Sequence, residues 1–404
     1  MISKESQILY KNLSLGKCQV KPSNLKTERK RVYLDNNATS MIDPHVLEAM
    51  YPYFCEHYGN ASSLHQDGVV ASQAVSQARA KIAALVNAHE DEIIFTSGGT
   101  ESDNWAIRGV LAAQPSKRHI ITTAVEHLAV MVCCYKYRME FYRVTSLGVD
   151  RLGRLDLDSL SKSIRDDTAL VSVMYVNNET GVLFPLKSIA QVVKEKGCLL
   201  HVDAVQALGK VPIDLAAIPV DLMSFSAHKI HGPKGIGALY VRGDTPIKPM
   251  FYGGGHEYGR RPGTENVPGI VGFGAAAALA AKSIRENFIN MKSMRDRLES
   301  AVLRLFPFAT VNGDTENRLP NTSNISFEGW DSRELLAQLD QYGVEVSGGS
   351  ACCAHANISH VLQAMNVPPQ RAKGAIRFSL SRFTTPEEIQ YVLNVLRHIL
   401  SRQT

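Results

Sequence analysis

A chain of 404 residues is too long for one ordinary domain and long enough to bury large cores, so we expect two lobes. Hydrophobic residues make up 45% of it and charged residues 21%, the composition of a soluble globular protein. The formal net charge of +5 is concentrated in residues 1–31, where eight Lys or Arg stand against two Glu, so the near-neutral remainder excludes a nucleic-acid role based on a basic surface.

Residues 1–31 lack the continuous apolar core of a secretion signal and fit a mitochondrial presequence poorly. We interpret them as a basic extension that precedes the fold. The richest apolar run, residues 270–281, is short and alanine-rich, which predicts a packed helix and no membrane span. The seven cysteines are odd in number and scattered, which predicts no disulfide framework, no metal site and a reducing cytoplasm.

Apolar, β-branched runs alternate with helical patterns along most of the chain, which predicts an α/β fold with a mostly parallel sheet. The predicted strands are residues 93–96, 119–122, 141–144, 170–175, 198–202, 221–225 and 237–241. The predicted helices between them include residues 69–86, 102–113 and 186–196.

The pattern changes after two glycine clusters near residues 253 and 263. Helices are then predicted at 270–285, 290–305 and 386 to about 401, with short strands at 323–327, 344–347 and 375–379. We therefore predict a large domain over residues 46–282 and a smaller α+β domain formed by residues 32–45 and 283–404.

A lysine and an aspartate follow two of the predicted strands. Lys229 lies in a polar, glycine-rich turn after residues 221–225, and Asp203 comes directly after residues 198–202. The ligand crevice of an α/β sheet opens at such strand ends. A pyridoxal phosphate enzyme needs both groups, an amine to bind the cofactor's aldehyde and a carboxylate to keep its pyridine nitrogen protonated. Taken singly, the two residues are better explained as a surface lysine and a helix-capping aspartate.

Residues 95–104 form a strand end, a run of small residues and a helix start, with Gly99 and Thr100 at the turn. Glycines admit an anion close to the backbone, hydroxyls donate to it, and the helix N-terminus offers free N–H groups. Ser226 and His228 could donate to the same group, so this segment predicts a phosphate site. The alternative is an ordinary helix-capping turn.

Two further polar segments follow predicted strands. His127 could stack on a pyridine ring and move protons, or serve a purely structural purpose. Asn178 lies in a turn that ends at Gly181, where its amide could reach a cofactor or substrate oxygen, or simply form the turn.

A glycine-serine segment near the C-terminus carries a thiol. Cys352 follows Ser350 and Ala351, and Cys353 stands directly behind it. Only an accessible thiol that can lose its proton is a nucleophile, and a flexible setting lets it move. Arg377 offers a planar fork suited to a carboxylate. The alternatives are an inert buried thiol and a surface arginine.

Taken together and in order, these motifs resemble the NifS/IscS-type cysteine desulfurases of the class V aminotransferase family. The segments that carry the resemblance are residues 33–39, 96–104, 125–127, 176–179, 201–203, 224–235, 261–266, 350–352 and 377–380. The match runs from about residue 32 to the C-terminus.

The resemblance implies a homodimeric, PLP-dependent fold-type I enzyme that converts L-cysteine to L-alanine and leaves the sulfur as a persulfide on Cys352. It implies that the persulfide serves iron–sulfur cluster assembly or another thiolation through an acceptor protein. It implies that Lys229 binds the cofactor covalently, Asp203 contacts the pyridine nitrogen, Gln206 contacts the ring hydroxyl, and His127 stacks on the ring and transfers a proton. It implies that the phosphate is bound by Gly99, Thr100, Ser226 and His228, and that Thr264 contacts the phosphate bound in the partner subunit. Asn178 and Arg377 are implied to orient the substrate.

Two other functions fit the same motifs. A selenocysteine lyase, or another PLP lyase or transaminase of this fold, would not need Cys352. A non-catalytic scaffold that kept the fold would bind no cofactor, although the joint presence of lysine, aspartate, histidine, cysteine and arginine argues against it.

Overall fold

The computed structural model describes residues 30–349 and 358–401. Its strands are β1 Val32–Tyr33, β2 Ile93–Thr96, β3 His119–Thr123, β4 Arg143–Leu147, β5 Thr168–Met174, β6 Leu199–Asp203, β7 Leu222–Ser226, β8 Gly237–Val241, β9 Ala309–Val311, β10 Thr322–Phe327, β11 Val344–Glu345 and β12 Ala375–Ser379. Its helices are α1 Pro44–Met50, α2 Pro52–Cys55, α3 Gln66–Val86, α4 Gly99–Ala113, α5 Leu128–Met139, α6 Leu157–Ser163, α7 Leu186–Glu195, α8 Val267–Leu305, α9 Ser332–Gln341, α10 His360–Ala364, α11 Pro369–Lys373 and α12 Pro386–Leu400.

Seven strands form the central sheet in the order β2-β8-β7-β6-β5-β3-β4. β8 runs antiparallel to both neighbours, and the other pairs are parallel. Strands β5 and β7 are buried along their whole length, as expected for apolar runs covered on both faces. The carboxyl ends of β5, β6 and β7 meet at one edge because these strands are parallel. The predicted mostly parallel seven-stranded sheet is confirmed.

Apolar side chains cover both faces of this sheet. Ile93 and Phe95 of β2 pack into one core, and Ile94 between them packs into another. Successive side chains of a strand point to opposite faces, so a continuous apolar strand feeds both cores at once. Trp105 of α4 lies in the second core and is 1% exposed.

A third core belongs to the C-terminal part of the chain. β10 pairs antiparallel with β9 and β12, and β1 pairs parallel with β11. Phe327, Ile376 and Leu396 are among the side chains buried there. This arrangement brings the first described strand and the last helices together, and it places β12 next to the edge of the large sheet where the cavity described below opens.

The structure differs from the predicted elements at two places. The strand predicted at 141–144 is wrong by two residues, because Phe141 adopts a left-handed conformation at φ 66° and is 94% exposed, so β4 begins at Arg143. The helices predicted at 270–285 and 290–305 form the single helix α8, since neither proline nor glycine interrupts residues 286–289. The domain boundary at residue 282 stays a prediction, as α8 is continuous through it.

One window of α8 is long and apolar enough to cross a membrane, judged by length and composition alone. Half of that window is buried inside the fold. Ile270 and Phe273 in the first half of α8 pack into the core of the large sheet, and Leu298 and Val302 in the second half pack into the C-terminal core. The core helix of a globular protein passes the same test, so α8 is weak evidence for a membrane.

Candidate active site

A cavity of about 230 Å³ opens at the carboxyl edge of the large sheet. Ten of the predicted site residues line it: Gly99, Thr100, His127, Asn178, Asp203, Gln206, Ser226, His228, Lys229 and Arg377. They come from the ends of different strands and turns, so the parallel sheet brings together residues that are far apart in sequence. Thr264 is not among the lining residues, and Cys352 lies outside the described part of the chain.

Lys229 stands at the end of a short 3₁₀ turn, Ala227–Lys229, which follows β7 directly. Its Nζ donates to the main-chain oxygen of Asn37 at 2.5 Å and to that of Ala38 at 2.7 Å. These two carbonyls hold the amine at the wall of the cavity. A ligand that reacts with the amine would find it positioned and surrounded by acceptors.

Asp203 ends β6 and is buried, with 7% of its surface exposed. Its Oδ1 accepts the main-chain N–H of Val205 at 2.9 Å. Burial raises the pKa of the Asp203 carboxyl above its ordinary value, and the charges of His127 and Lys229 act in the opposite direction. A carboxylate with so little water around it interacts strongly with any cation placed in the cavity.

His127 caps the N-terminus of α5 and lies beside the same cavity. Its Nδ1 accepts the main-chain N–H of Ala129 at 3.2 Å. Burial lowers the pKa of His127, while Asp203 opposes that shift. A neutral imidazole whose Nδ1 accepts a hydrogen bond carries its proton on Nε2, so this ring offers a donor rather than a charge.

The opposite end of the cavity is built from the loop between β2 and α4. Gly98 caps α4 with φ 152°, a conformation that L side chains rarely adopt, and a Cβ on Gly99 would stand 2.6 Å from Val205 Cγ2. Ser226 Oγ lies 4.0 Å from where a Cβ of residue 98 would be. The free N–H groups at the start of a fifteen-residue helix therefore face a space that only glycines leave open.

His228 lies near this loop as a neutral side chain. Burial, together with the charge of Lys229, lowers its pKa to about 3. Its Nδ1 is 3.1 Å from Thr39 Oγ1. Since a neutral imidazole has one donor and one acceptor nitrogen, His228 can contribute a single N–H to an anion.

Arg377 of β12 enters the cavity from the other lobe and is 1% exposed. Its Nη2 donates to Asp35 Oδ1 at 2.6 Å, and its Nη1 donates to the main-chain oxygen of Asn178 at 3.0 Å. Within the described residues its buried Nε has no hydrogen-bond partner. The guanidinium is therefore held in place by one hydrogen bond from each Nη, while its Nε–H and the second N–H of each Nη are left for a ligand.

Both ends of the segment that carries Cys352 lie beside one buried carboxylate. Ser359 Oγ donates to Glu179 Oε2 at 2.5 Å, and a Cβ on Gly349 would stand 3.2 Å from the same oxygen. Glu179 is 1% exposed and follows Asn178 in the turn after β5. Gly349 and Ser359, the described residues on either side of segment 350–357, therefore lie beside Glu179, which directly follows the cavity residue Asn178.

Thr264 is exposed and belongs to a different part of the surface. The nearby Arg261 pairs with Glu101 of α4 through two contacts, at 2.9 Å and 3.1 Å. This ion pair attaches the loop before α8 to helix α4 of the same chain. Thr264 itself stays outside the cavity of its own chain, and its expected role remains a prediction.

The residues present fit pyridoxal 5'-phosphate. A buried carboxylate, a positioned amine and a glycine-lined helix N-terminus lie around one cavity, and a Cβ at residue 99 would fill the space beside that N-terminus. The carboxylate suits a pyridinium nitrogen, the amine suits an aldehyde, and the helix start suits a phosphate.

The comparisons with known proteins agree with this fit. The model of the family "Aminotransferase class-V" matches residues 32–392. A cysteine desulfurase of Trichormus azollae is 50% identical over 92% of this chain and 93% of that protein, and the cysteine desulfurase NifS of Azotobacter vinelandii is 46% identical over the same shares. A solved structure described as a NifS-like protein aligns with a TM-score of 0.88 and 41% identity, over 92% of this chain and all of that one. The chain belongs to the class V aminotransferase family.

Membership in the class V aminotransferases confirms four sequence predictions: the NifS/IscS-type resemblance, the fold-type I architecture, the enzyme class of PLP-dependent cysteine desulfurase, and pyridoxal phosphate as the cofactor. The roles of individual site residues stay predictions, although the cavity collects most of them. Sequence reasoning missed Asn37 and Ala38, which act through main-chain oxygens, and the buried Asp103 and Glu126. Asn37 and Ala38 lie in one of the motif segments, 33–39, which was the available signal.

Proposed function

We propose that this class V aminotransferase is a homodimeric cysteine desulfurase of the cytoplasm, which converts L-cysteine to L-alanine and passes the sulfur through Cys352 to an acceptor protein. The observation that carries this proposal is the convergence of Lys229, Asp203 and Arg377 at one cavity, with Gly349 and Ser359, which flank the segment that carries Cys352, beside Glu179, the chain neighbour of the cavity residue Asn178. A scaffold without catalysis would not need to bring an amine, an acid, a guanidinium and a thiol-bearing segment together.

Bound pyridoxal phosphate supplies an electron sink for the carbon atoms of the substrate. Asp203 holds its position at the sheet edge and, as an anion in a buried site, favours a protonated ring nitrogen. His127 lines the cavity and would offer the N–H of Nε2 to the cofactor. Gly99, Thr100, Ser226 and His228 would hold its phosphate with main-chain and side-chain donors.

Arg377 and Asn178 orient the substrate in this proposal. The guanidinium is held by Asp35 and by the main-chain oxygen of Asn178, so its fork is fixed before substrate arrives. A fixed fork recognises the α-carboxylate of an amino acid with two parallel hydrogen bonds. Lys229, once its amine is free of the cofactor, takes the α-proton of the substrate on Nζ.

Sulfur transfer requires a nucleophile of its own. The Cys352 thiolate attacks the sulfur of the substrate, an S–S bond forms, and the C–S bond breaks with its electron pair going to carbon, which protons then convert to alanine. The products are L-alanine and a persulfide on Cys352, so atoms and electrons balance without an added oxidant. An acceptor thiol then removes the outer sulfur, for iron–sulfur cluster assembly or another thiolation.

Two observations support a homodimer. Thr264 is exposed in a single chain although the family resemblance gives it a phosphate contact. Large apolar side chains are also exposed in two stretches, among them Tyr51, Phe54, Tyr58, Phe251 and Tyr252. Surface of this kind marks an interface in soluble proteins. Sedimentation velocity should give a dimer, and a monomer with full cofactor occupancy would contradict this part of the proposal.

The matched pair Cys352→Ser and Cys353→Ser tests the sulfur step. With L-cysteine, the Cys352→Ser enzyme should form no persulfide by mass spectrometry and lose alanine formation by about 10² or more, since nucleophilic catalysis is removed. The Cys353→Ser enzyme should still form the persulfide and still produce alanine. Alanine formation that survives Cys352→Ser would instead indicate a lyase that does not use the thiol.

A further inference from the structure

Lys210 lies four residues, one helical turn, after the cavity residue Gln206 and does not itself line the active-site cavity. The residues after Asp203 form helical turns, with Leu208 N donating to Ala204 O at 3.0 Å and Lys210 N donating to Ala207 O at 3.0 Å. Residues four apart on such a turn share a face. The side chains of Gln206 and Lys210 therefore lie together, and both residues are buried, 6% and 8% exposed.

A chain of hydrogen bonds joins Lys210 to the reactive lysine. Lys210 Nζ donates to Gln206 Oε1 at 3.0 Å, and Gln206 Nε2 donates to the main-chain oxygen of Asn37 at 2.9 Å. The same oxygen accepts Lys229 Nζ at 2.5 Å. Because a lysine has only donors, it binds the oxygen of the amide and leaves the amide N–H groups to face Asn37 and the cavity.

We propose that Lys210 is a positioning residue that fixes the Gln206 amide with its N–H donors toward the cofactor and holds a second positive charge close to Lys229. The inference rests on the proposed function, since it takes Lys229 as the attachment point of the cofactor. It adds a residue that touches neither substrate nor cofactor and acts through Gln206 and through charge.

The charged groups that face Lys210 are the cations Lys229, Arg377 and Arg382. The titratable side chains His228 and His231 also face it, and both are neutral because burial lowers their pKa values. Within the described part of the chain no carboxylate forms an ion pair with Lys210. Burial, together with the charges of Lys229 and Arg377, lowers the pKa of Lys210 to about 7.

Repulsion between two amines is reciprocal, so a charged Lys210 favours loss of the proton from the nitrogen of Lys229. This effect is present below the pKa of Lys210 and fades as pH rises through about 7. Lys210 thus biases the nitrogen of Lys229 toward the neutral state below about pH 7.

Three variants separate the two parts of the proposal. Lys210→Met keeps the length of the side chain but has neither donor nor charge. Lys210→Arg keeps the hydrogen-bond donor and the positive charge. A cavity of about 40 Å³ lined by Lys210, Asn287 and Arg382 leaves room for the larger guanidinium. Lys187→Met, on the exposed face of α7, removes a lysine charge far from the cavity edge and serves as the matched control.

The first measurement is the pH titration of the visible band of the cofactor in the holoenzyme. In Lys210→Met its midpoint should rise by about half a unit or more, because a like charge near the titrating nitrogen is gone. The second measurement is the dissociation constant of the cofactor from the apoenzyme, which should rise several-fold as Gln206 loses its fixed orientation. Lys187→Met should match the unmodified enzyme in both. Lys210→Arg, whose charge does not titrate in this range, should keep the dissociation constant and show no rise in midpoint.

An unchanged midpoint and dissociation constant in a folded Lys210→Met enzyme would overturn the proposal. If that variant does not fold, Lys210→Gln, which is uncharged but polar, should give the same rise in midpoint, and an unchanged midpoint there would overturn it equally. Borohydride trapping on the unmodified enzyme comes first. Cofactor trapped elsewhere than on Lys229 would refute the proposed function itself, whereas Lys229-linked cofactor with unshifted titrations would refute only the role of Lys210.

Discussion

The two ends of the active-site cavity are built on different physical principles. The ring end consists of the buried ionisable side chains of Asp203 and His127, whose pKa values are moved by burial and by each other. The charge of Asp203 also acts on the buried Glu126, which does not line the cavity. The phosphate end consists of the backbone of Gly98 and Gly99 at a helix N-terminus, where fit depends on the absence of a Cβ. Activity at the ring end should therefore respond to charge and pH, and binding at the phosphate end should respond to shape.

The largest effect is expected for Lys229→Ala at the ring end. The variant loses both the covalent attachment and the base that takes the α-proton, so alanine formation should fall by about 10³ or more. The cofactor should remain bound more weakly through the phosphate end, with a visible spectrum like that of the free aldehyde. Turnover near the normal rate would show that another amine does this work.

Asp203→Asn should leave shape intact and remove charge. Without an anion, the ring nitrogen loses its proton and the electron sink weakens, so turnover should drop by about 10² to 10³, the range seen for loss of one preorganised electrostatic contact. The cofactor content, measured by absorbance after alkaline release, should change little. If cofactor content fell in parallel with turnover, the residue would be a binding contact rather than an electrostatic one.

Gly98→Ala should act at the phosphate end alone. A non-glycine residue in this conformation costs about 1–3 kcal/mol, which predicts a cofactor dissociation constant that rises about tenfold, with little change in the rate at saturating cofactor. Gly148→Ala is the matched control, because a Cβ there would meet no atom within 4 Å. Equal affinities of the two variants would contradict the steric account of this end.

Glu126→Gln should make the stability of the folded protein less dependent on pH. Burial raises the pKa of Glu126 to about 8, so the folded protein keeps its proton while the unfolded chain loses it above about 4.3. Stability is therefore lost as pH rises from about 4.3 to about 8.

Glutamine mimics the protonated acid, and its oxygen can still accept from Met174 N and from the Thr123 hydroxyl. The Glu126→Gln enzyme should melt at the same temperature as the unmodified enzyme near pH 4.5 and several degrees higher at pH 8. Melting curves of the holoenzyme at both pH values measure this. A difference in melting temperature between the two enzymes that stays constant with pH would mean that Glu126 does not titrate as its burial indicates.

Much of the fold and of the ring end could be read from the sequence. β-branched runs identified the central strands, and Lys229 and Asp203 were recognisable because polar residues directly after such runs lie at the ligand edge of a parallel sheet. Phe141 was predicted in a strand because it is apolar. Its left-handed backbone conformation in the turn after α5 is visible only in the structure. The two predicted helices stop on either side of residues 286–289, so the continuity of α8 was missed.

The remaining site residues could not be given a role from the sequence, although Asn37 and Ala38 lie in the motif segment 33–39. Asn37 and Ala38 act through main-chain oxygens, which any residue type could supply, and they meet Lys229 only because the chain start packs against the large sheet. Lys210 reads as an ordinary surface lysine until its burial and its contact with Gln206 are known. Predictions for Cys352 rest on the motif and on the position of the flanking residues, since the segment itself lies outside the described residues.

The central claim is that one amine, that of Lys229, carries the cofactor. Borohydride reduction of the holoenzyme followed by peptide mass mapping tests this directly, and Lys210 nearby makes the test stringent. We expect a single modified peptide with the reduced cofactor on Lys229 and none on Lys210. Modification at Lys210, or the absence of any modified lysine in a protein that binds the cofactor, would contradict the proposed chemistry.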